Sequence, residues 1–364
     1  MTQRILHVVG RMDRAGAETM LMNLYRALNR GEIQFDFAYF TNDHCDYDDE
    51  ILALGGRIVR IEGGNAFSRF RNLWRVLSKG SWRTVHAHTL FSSGLHLLAA
   101  KLAKVPHRIV HSHSTNDVNK LGLAGCIYKG CMRWLFSRVS TEFVACGDTA
   151  ARYLFPDQRK VHIIPNAIEI DRFLNAPDAR CEATSGEVPL PLVILQVGRL
   201  EPVKNHSLSI RIAVELAKAG VNFEMLFVGA GSERSDIEAQ IRERGLENRV
   251  RLLGLREDIA ELMAAADVLL LPSLYEGFPV VLVEAQAAGL PAVISRTVPD
   301  EVDLGLGLVD FVDATSPPEI WGGRLLAAVR SEKVTSLARR EALEARGFSA
   351  QAGAERLAAV YSAL

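Results

Sequence analysis

The sequence predicts an α/β protein built from two doubly wound domains in tandem. Short β-branched apolar runs alternate with longer amphipathic segments, the alternation breaks once near residues 166–191, and it then restarts. The length of 364 residues fits about two domains. Because strand–helix alternation produces parallel strands covered by helices, we expect two Rossmann-like sheets that face each other across a cleft.

The first half reads as six buried strands with five intervening helices. The predicted strands are residues 5–9, 35–40, 57–61, 84–88, 108–113 and 141–145. The predicted helices are residues 17–29, 47–54, 67–79, 92–104 and 125–138. This order defines an N-terminal Rossmann-like domain over residues 1–170, in which a ligand would bind at the carboxyl ends of the strands.

A polar stretch rich in Pro, Ser and Gly at residues 166–191 predicts a linker, and the alternation then resumes. The predicted strands of the second half are residues 192–197, 224–228, 250–253, 268–271 and 292–294. The predicted helices are residues 206–219, 235–244, 259–265 and 280–288. We therefore expect a C-terminal domain over residues 171–348 and a final amphipathic helix over 349–364 that packs back on the first domain.

The charge distribution is uneven although the net charge is only −1. Residues 57–138 hold 14 basic and two acidic side chains, and such a patch attracts anionic partners. Nucleic acid, anionic lipid and phosphorylated substrates all fit. Phe67, Phe70, Trp74 and Trp82 lie among these basic residues, which favours peripheral contact with a membrane, although a solvated basic helix face would show the same pattern. A near-neutral chain without a recognition motif argues against nucleic acid.

No run reaches 18 apolar residues, so we expect no membrane-spanning helix. The first residues lack the series of features that marks a signal peptide. The five cysteines are scattered, which is typical of a reducing compartment. We therefore expect a cytoplasmic protein that contacts the inner face of the cytoplasmic membrane.

Charged and glycine residues collect where the strands of the second half end. Arg199 and Lys204 follow one predicted strand, and Glu276, Gly277, Phe278 and Pro279 follow another and lead into the helix that holds Glu284. Arginine offers a planar fork and lysine a point charge to an anion. The amides at a helix start favour a phosphate, and Gly277 allows close backbone approach. Carboxylates suit sugar hydroxyls. These residue types predict a site for a nucleotide diphosphate sugar.

The motifs Gly198-Arg199, Lys204-Asn205, Gly229-x-Gly231, Glu276-Gly277-Phe278-Pro279, Glu284-Ala285 and Gly289-x-Pro291 resemble the donor-binding half of glycosyltransferase family 4. The resemblance extends to Asn166-Ala167-Ile168, Asp171-x-Phe173, Gly16-Ala17-Glu18 and the segment 110–114. The first half resembles the exopolysaccharide and capsule branch. The resemblance implies a GT-B fold and a retaining, nucleotide-sugar-dependent enzyme.

The resemblance also implies roles. Arg199 and Lys204 would hold the diphosphate, Glu284 the ribose, and Glu276 with Gly277 and Phe278 the donor sugar. Val280 would begin the helix that faces the phosphates, and the loop of Gly254, Leu255 and Arg256 would receive the base, with uridine expected. Gly16 would lie near the phosphates and the acceptor, which the N-terminal domain would bind. His113 would contact the sugar, with His111 as the alternative.

Two positions depart from the family pattern. Ala167 follows Asn166 where glycine is common, and Ala15-Gly16-Ala17 contains one glycine where two are common. The first departure concerns the flexibility of the junction. The second concerns backbone contact with phosphate.

Three other patterns have competing interpretations. The pairs His86/His88 and His111/His113 each share a strand face and could bind metal, but no carboxylate or cysteine accompanies them, so we expect none. Asp46-x-Asp48 could hold a divalent cation, but it precedes a predicted helix and is read as capping it. The run from Gly229 lacks the third glycine of a dinucleotide fingerprint.

The predicted activity is transfer of a hexose, with retention, from a nucleotide diphosphate sugar to a hydroxyl of a saccharide or a lipid-linked saccharide. No metal and no other cofactor is expected, because Arg199 and Lys204 already neutralise the leaving diphosphate. Two alternatives remain: a nucleotide-sugar 2-epimerase of the same fold, and a non-catalytic nucleotide-sugar-binding scaffold.

Overall fold

The computed structural model describes residues 2–113, 122–156, 160–177 and 190–363. The chain divides into two compact units. The N-terminal unit comprises Met1–Ala167 with Ser349–Leu364, and the C-terminal unit comprises Ile168–Phe348. Each unit contains one sheet whose strand pairings are parallel.

In the described residues, the sheet of the N-terminal unit has seven strands. They are β1 (Gln3–Val8), β2 (Ile33–Tyr39), β3 (Arg57–Arg60), β4 (Thr84–Ala87), β5 (His107–Ser112), β6 (Glu142–Ala145) and β7 (His162–Ile163). Their order across the sheet is β3-β2-β1-β4-β5-β6-β7. The direction of winding therefore reverses between β1 and β4, which is the switch point of this sheet.

Helices connect these strands. They are α1 (Gly16–Ala27), α2 (Asp48–Ala53), α3 (Ala66–Lys79), α4 (Ser93–Leu102), α5 (Leu123–Val139) and α6 (Asp148–Leu154). Helix α3 begins at a capping box in which Asn65 and Ser68 satisfy each other's backbone amides. Helix α4 contacts both α3 and α5, so the three helices form one layer.

In the described residues, the sheet of the C-terminal unit has six strands. They are β8 (Leu192–Val197), β9 (Phe223–Val228), β10 (Val250–Gly254), β11 (Val268–Leu271), β12 (Ala292–Ser295) and β13 (Val309–Val312). Their order is β10-β9-β8-β11-β12-β13, so the switch point lies between β8 and β11. All four residues of β11 are fully buried, as a central parallel strand covered on both faces requires.

The helices of the C-terminal unit cover both faces of this sheet. They are α7 (Ile170–Leu174), α8 (His206–Lys218), α9 (Arg234–Glu243), α10 (Ile259–Ala265), α11 (Val280–Ala288), α12 (Pro318–Ala328) and α13 (Ser336–Ala345). Two buried apolar clusters form the core of the unit. Helix α11 contacts α7, α10 and α13, so its position is fixed from several sides.

The last helix, α14 (Ala350–Ser362), lies in the N-terminal unit and packs on α1. Gly353 permits this approach, because a Cβ at that position would lie 2.8 Å from Leu24 Cδ2. Tyr361 is buried in the same core, and its hydroxyl lies 2.7 Å from His86 Nδ1. The C-terminus thereby completes the core of the first sheet.

Several elements differ from the sequence-based prediction. The strands β7 and β13 and the helices α6, α12 and α13 were not predicted. The predicted linker is wrong for residues 168–174, because Ile168 is buried, its amide donates to Phe348 O at 2.8 Å, and α7 follows. Residues 178–189 of that predicted linker lie outside the described residues.

In the described part of the chain, no helix is long and apolar enough to cross a bilayer. No disulfide joins the described cysteines, which are Cys45, Cys126, Cys131 and Cys146.

Candidate active site

Two loops meet at the carboxyl edge of the C-terminal sheet, directly after β8 and β11. We call them the switch-point loops (residues 198–205 and 272–279). They are joined by a hydrogen bond from the amide of Leu274 to Val203 O at 2.8 Å, and Asn205 Nδ2 donates to Pro272 O at 3.1 Å. Ligands of doubly wound sheets bind at such a point, so this edge is a candidate ligand-binding site.

An ion pair links the switch-point loops. Lys204 Nζ lies 2.6 Å from Glu276 Oε1, and Ser273 Oγ donates to the same oxygen at 2.6 Å. Only 15% of the Lys204 side chain and 11% of the Glu276 side chain are exposed. A surface ion pair is worth little because water screens it, whereas this pair is largely withdrawn from water. A lysine ammonium has three donors, so Lys204 can hold Glu276 and an anion together.

Gly198 allows the Lys204 side chain to lie along the end of β8. A Cβ at position 198 would come within 3.0 Å of Lys204 Cε. The next residue, Arg199, is exposed, and no ion pair of Arg199 occurs among the described residues. The edge therefore presents one paired cation and one unpaired cation on the same loop.

Helix α11 starts where the second switch-point loop ends. Val280 is its first residue, Pro279 precedes it, and no side chain caps the start. The amides of the first turn and the positive end of the helix dipole therefore favour a negative charge at this edge. The Phe278 ring packs 5.6 Å from the Phe348 ring between centroids, which holds the loop before the helix.

Glu284 lies in the second turn of α11 and is partly exposed. Burial raises the pKa of its carboxyl from 4.5 to about 7, and the positive charge of Arg172 opposes this shift. The carboxyl is therefore only partly ionised near neutral pH and can accept a hydrogen bond from a neutral hydroxyl. Arg172 was not among the predicted site residues, although it lies within the quoted Asp171-x-Phe173 motif.

The loop of Gly254, Leu255 and Arg256 lies at the end of β10. Gly254 has a φ of +69°, and its carbonyl accepts from the amide of Gly229 at 2.8 Å. Leu255 is 52% exposed. Arg256 pairs with Asp258, which raises the pKa of the guanidinium. The side chain of Arg256 thus pairs with Asp258, while the backbone of residues 254–256 lies at the carboxyl edge of the sheet.

The glycines of the Gly229-x-Gly231 motif have a packing role in the structure. A Cβ at Gly229 would lie 2.0 Å from Gly198 O, and one at Gly231 would lie 2.3 Å from Leu200 O. Both glycines allow the loop after β9 to lie against the first switch-point loop.

At the edge of the N-terminal sheet, Gly16 is the first residue of α1 and follows the loop after β1. Asp48, Asp49 and Glu50 form the first turn of α2, as the helix-dipole interpretation predicts, although no side-chain cap is present at this start among the described residues. Asp46 accepts from the amide of Arg14 at 2.9 Å, and Asp48 accepts from the amide of Cys45 at 3.1 Å and pairs with Arg60 at 2.6 Å. The side chains of Asp46 and Asp48 therefore also hold the adjoining loops.

Imidazole rings cover the carboxyl end of the N-terminal switch point. We call them the histidine cluster: His7 on β1, His86 and His88 at β4, and His111 and His113 at β5. His7 pairs in register with His86. His7 was not predicted, because only the strand order places β1 beside β4.

Hydrogen bonds join part of the histidine cluster. His7 Nδ1 lies 2.9 Å from His88 Nε2, and His88 Nδ1 lies 2.8 Å from His113 Nε2. The ring of His111 stacks on that of His113 at 3.9 Å between centroids. His111 is fully buried, while His88 and His113 are partly exposed, so of the two candidates His113 lies nearer the edge.

Burial keeps these rings neutral. It lowers the pKa of His7 to about 3 and that of His113 to about 4, where Asn166 opposes the shift by hydrogen bonding. It lowers the pKa values of His86, His88 and His111 well below 6.5. Each ring therefore keeps one donor and one acceptor nitrogen at neutral pH.

Two family models match the chain. Residues 14–172 match "Glycosyltransferase Family 4", and residues 183–302 match "Glycosyl transferases group 1". The EpsF protein of Bacillus subtilis, named as a glycosyltransferase, is 38% identical over 99% of this chain and 96% of its own length.

A second relative from Escherichia coli is 30% identical over 62% of this chain and 60% of its own length. Its name is UDP-Gal:alpha-D-GlcNAc-diphosphoundecaprenol alpha-1,3-galactosyltransferase. Among solved structures, Anabaena Alr3699/HepE, crystallised with UDP and glucose, has a TM-score of 0.80 at 18% identity and is matched over the full length of both chains.

Two doubly wound parallel sheets and these similarities define a glycosyltransferase of the GT-B fold. The chain belongs to glycosyltransferase family 4. The predicted family and fold are thereby confirmed.

Proposed function

We propose that this chain transfers a hexose from a UDP-linked sugar to a hydroxyl of a saccharide or lipid-linked saccharide in cell-surface polysaccharide biosynthesis. The observation that carries the proposal is the Lys204–Glu276 ion pair beside the exposed Arg199 at the switch point. Cations there suit a diphosphate, and the carboxylate next to them suits sugar hydroxyls. The Escherichia coli relative, whose name gives a UDP-linked donor and a diphosphoundecaprenol-linked acceptor, supports the same chemistry.

The roles proposed for the donor site follow its geometry. Lys204 and Arg199 hold the diphosphate against the start of α11 at Val280. Glu276, with the backbone of Gly277 and Phe278, holds the hexose. Lys204 contacts Glu276 directly, so the groups assigned to phosphate and sugar are adjacent, as they are in a sugar nucleotide.

The remaining roles lie further from the diphosphate. Glu284 accepts from the ribose hydroxyls, and the backbone of residues 254–256 receives the base. Gly16, at the start of α1, lies near the phosphates. His113 contacts the donor sugar, with His111 as the alternative.

The proposed reaction keeps the anomeric configuration. As the bond between sugar and phosphate lengthens, the sugar becomes oxocarbenium-like and negative charge grows on the diphosphate. Lys204, Arg199 and the start of α11 stabilise this charge by electrostatic preorganisation. The acceptor hydroxyl attacks from the same face, and the departing phosphate oxygen takes its proton. No metal is needed at the diphosphate, because the cations and the helix start perform that role.

A transfer assay tests the proposal. The chain is incubated with UDP-glucose, UDP-galactose or their N-acetylated forms and with lipid-linked mono- or disaccharide acceptors. We expect one donor to give an acceptor-dependent product whose new linkage is α by NMR. Donor consumption without acceptor would indicate the 2-epimerase, and donor binding without turnover on any acceptor would indicate the scaffold.

Chelation tests the metal independence of the donor site. We expect turnover to persist when Mg²⁺ is omitted and EDTA is present. Activity that EDTA abolishes and Mg²⁺ restores would contradict this part of the proposal.

We further propose that the N-terminal unit contacts the inner face of the cytoplasmic membrane through its layer of α3, α4 and α5. Large apolar side chains point outward from this layer: Phe67 is 74%, Leu123 80% and Trp134 61% exposed. Arg71 and Arg75 on α3 are exposed beside Trp74. Apolar and basic side chains on one surface are typical of contact with anionic lipid.

Sedimentation with vesicles tests the membrane contact. Replacing both Phe67 and Trp134 by Ala should reduce binding to vesicles that contain anionic lipid, because apolar insertion is lost. The matched control replaces Leu337, which is 64% exposed in the C-terminal unit, and should leave binding unchanged. Equal binding of both variants would contradict the proposed surface.

A further inference from the structure

The histidine cluster contains more polar nitrogen atoms than its hydrogen bonds use. The series His7–His88–His113 and the contact of His86 with Tyr361 account for part of the ring nitrogens. Among the described residues, no hydrogen-bond partner meets His7 Nε2, His86 Nε2 or either nitrogen of His111. Buried polar groups without partners are rare in folded proteins, so these nitrogens are available to bind a ligand.

His111 is the decisive residue. It is 1% exposed and both of its ring nitrogens are unpartnered within the described part of the chain. A neutral imidazole carries one N–H donor and one acceptor lone pair. In His111, neither group forms a hydrogen bond with a described residue. A metal ion that binds the lone pair of one ring nitrogen would give His111 a partner.

We propose that His88, His111 and His113 form a binding site for a divalent transition-metal ion of the zinc class. One nitrogen from each ring lies within 4.8 Å of the others. Tetrahedral zinc with bonds of about 2.0–2.1 Å separates its nitrogens by about 3.3 Å. His88 Nδ1 and His113 Nε2, now 2.8 Å apart, would open by about half an ångström as the ion replaces the shared proton.

The surroundings match those of metal-bound histidines. Such rings usually donate their second N–H to a neighbour, which fixes the tautomer. His88 Nε2 faces His7 Nδ1 at 2.9 Å in this way, whereas no hydrogen-bond partner meets His113 Nδ1 among the described residues. Neutral imidazole is the form that binds metal, and burial keeps these rings neutral. Both candidate groups consist of histidine alone among the described residues, which favours Zn²⁺, Co²⁺, Ni²⁺ or Cu²⁺ over Mg²⁺ or Ca²⁺.

A second group, His7, His86 and His88, also comes within 4.8 Å. His7 and His86 are fully buried, so that group offers no entry path and no open coordination position. His88 and His113 are partly exposed at the carboxyl edge. We therefore assign the ion to the outer group, which departs from the sequence-based expectation that neither histidine pair binds metal.

The metal site shares His113, and its alternative His111, with the sugar contact proposed above, but its binding can be tested separately from the proposed diphosphate site. The residues of the histidine cluster belong to the N-terminal unit, and the proposed diphosphate ligands belong to the C-terminal unit. A metal-binding readout needs no sugar nucleotide, so either proposal can fail while the other stands.

Metal titration of the full-length protein tests the site. The protein is stripped with a chelator, dialysed and titrated with Co²⁺, whose visible spectrum reports tetrahedral nitrogen coordination, and with Zn²⁺ in competition. We expect one equivalent to bind the wild-type protein. We expect His88→Ala and His111→Phe each to weaken binding by about 100-fold or more, because a three-ligand site then loses one ligand.

Two variants locate the ion. His86→Phe removes a member of the inner group whose hydrogen bond goes to Tyr361 rather than to the outer group, and should retain one equivalent. His107→Ala, at the other end of β5, controls for adventitious binding and should also retain it. Because His111→Phe could unfold, its thermal midpoint is measured without metal, and His113→Asn serves as the second outer-group variant. Absence of stoichiometric binding by the wild type, or binding that survives loss of His111 or His113 but not of His86, would overturn the assignment.

Discussion

The two sheets are both doubly wound, but different types of side chain lie at their switch points. In the C-terminal unit, the loops after β8 and β11 bring Lys204, Glu276 and the exposed Arg199 to the edge. In the N-terminal unit, the strands β1, β4 and β5 present neutral imidazoles at the corresponding edge. The fold thus places a candidate site at each edge, and the residues there decide which ligand it could hold.

The placement of these residues differs as well. The charged side chains lie on loops, where glycines such as Gly198 and Gly229 let the backbones approach. Most of the histidines lie on the strands themselves, and β pairing fixes their register. A loop site can adjust around a charged ligand, whereas the strand-borne cluster is held by the sheet.

The largest expected effect comes from removing the paired cation. Lys204→Ala should reduce turnover by about 10²–10³-fold, because one group that stabilises the leaving charge is lost and Glu276 is left without its cation. The measurement is kcat/KM for the best donor. Lys218→Ala, an exposed lysine on α8 paired with Glu215, is the matched control. A Lys204 variant within about twofold of the control would show that the edge does not hold phosphate.

The close approach of the loops gives the next effect, on stability. Gly229→Ala should lower the free energy of unfolding by about 2–4 kcal/mol, because its Cβ would meet Gly198 O and its positive φ is strained. Gly220 also has a positive φ, +72°, but open space around it. Gly220→Ala should therefore lower the free energy of unfolding by only about 1 kcal/mol. Denaturant unfolding measures both. Equal losses would mean that the contact with Gly198 is unimportant.

Glu284 gives a smaller, pH-dependent effect. Its folded pKa of about 7 lies above the ordinary 4.5, so the folded state binds more protons than the unfolded state between these values. Stability is therefore lost as the pH rises through this window and stays low above it. Glu284→Gln removes the ionisation and should raise the free energy of unfolding by about 1–2 kcal/mol near pH 8, after discounting for partial exposure, and by little near pH 5.

The same variant should weaken UDP binding, because the ribose hydroxyls lose a carboxylate acceptor. Glu238→Gln, half-exposed on α9, is the control for both measurements. A Glu284→Gln variant without a pH-dependent gain in stability would show that the carboxyl is not held in an unfavourable environment.

The smallest effect concerns the base loop. Arg256 is exposed and paired with its neighbour Asp258, and the base is proposed to bind backbone groups. Arg256→Ala should therefore leave UDP affinity within about twofold by calorimetry. A larger loss would assign base recognition to the side chain.

The central strands and the charged site residues could be predicted from sequence because local patterns carry them. The apolar run of β11 is uninterrupted, and the motifs around Arg199, Lys204 and Glu276 are contiguous. Elements with mixed composition were missed, such as β13, whose residues are mostly partly exposed. The residues 168–174 were read as linker because their polar flanks conceal the buried Ile168 and Phe173.

Contacts between distant segments could not be predicted. The Lys204–Glu276 pair joins residues 72 positions apart, and Tyr361 reaches His86 across 275 positions. His7 enters its cluster only because β1 lies beside β4. These partners follow from strand order, which a one-dimensional pattern does not specify.

The most direct measurement is a crystal structure with an intact, non-transferable UDP-sugar. The account predicts the diphosphate within hydrogen-bond distance of Lys204 and Arg199, with the hexose against Glu276 and the ribose against Glu284. A ligand bound elsewhere, with the Lys204–Glu276 pair untouched, would contradict it.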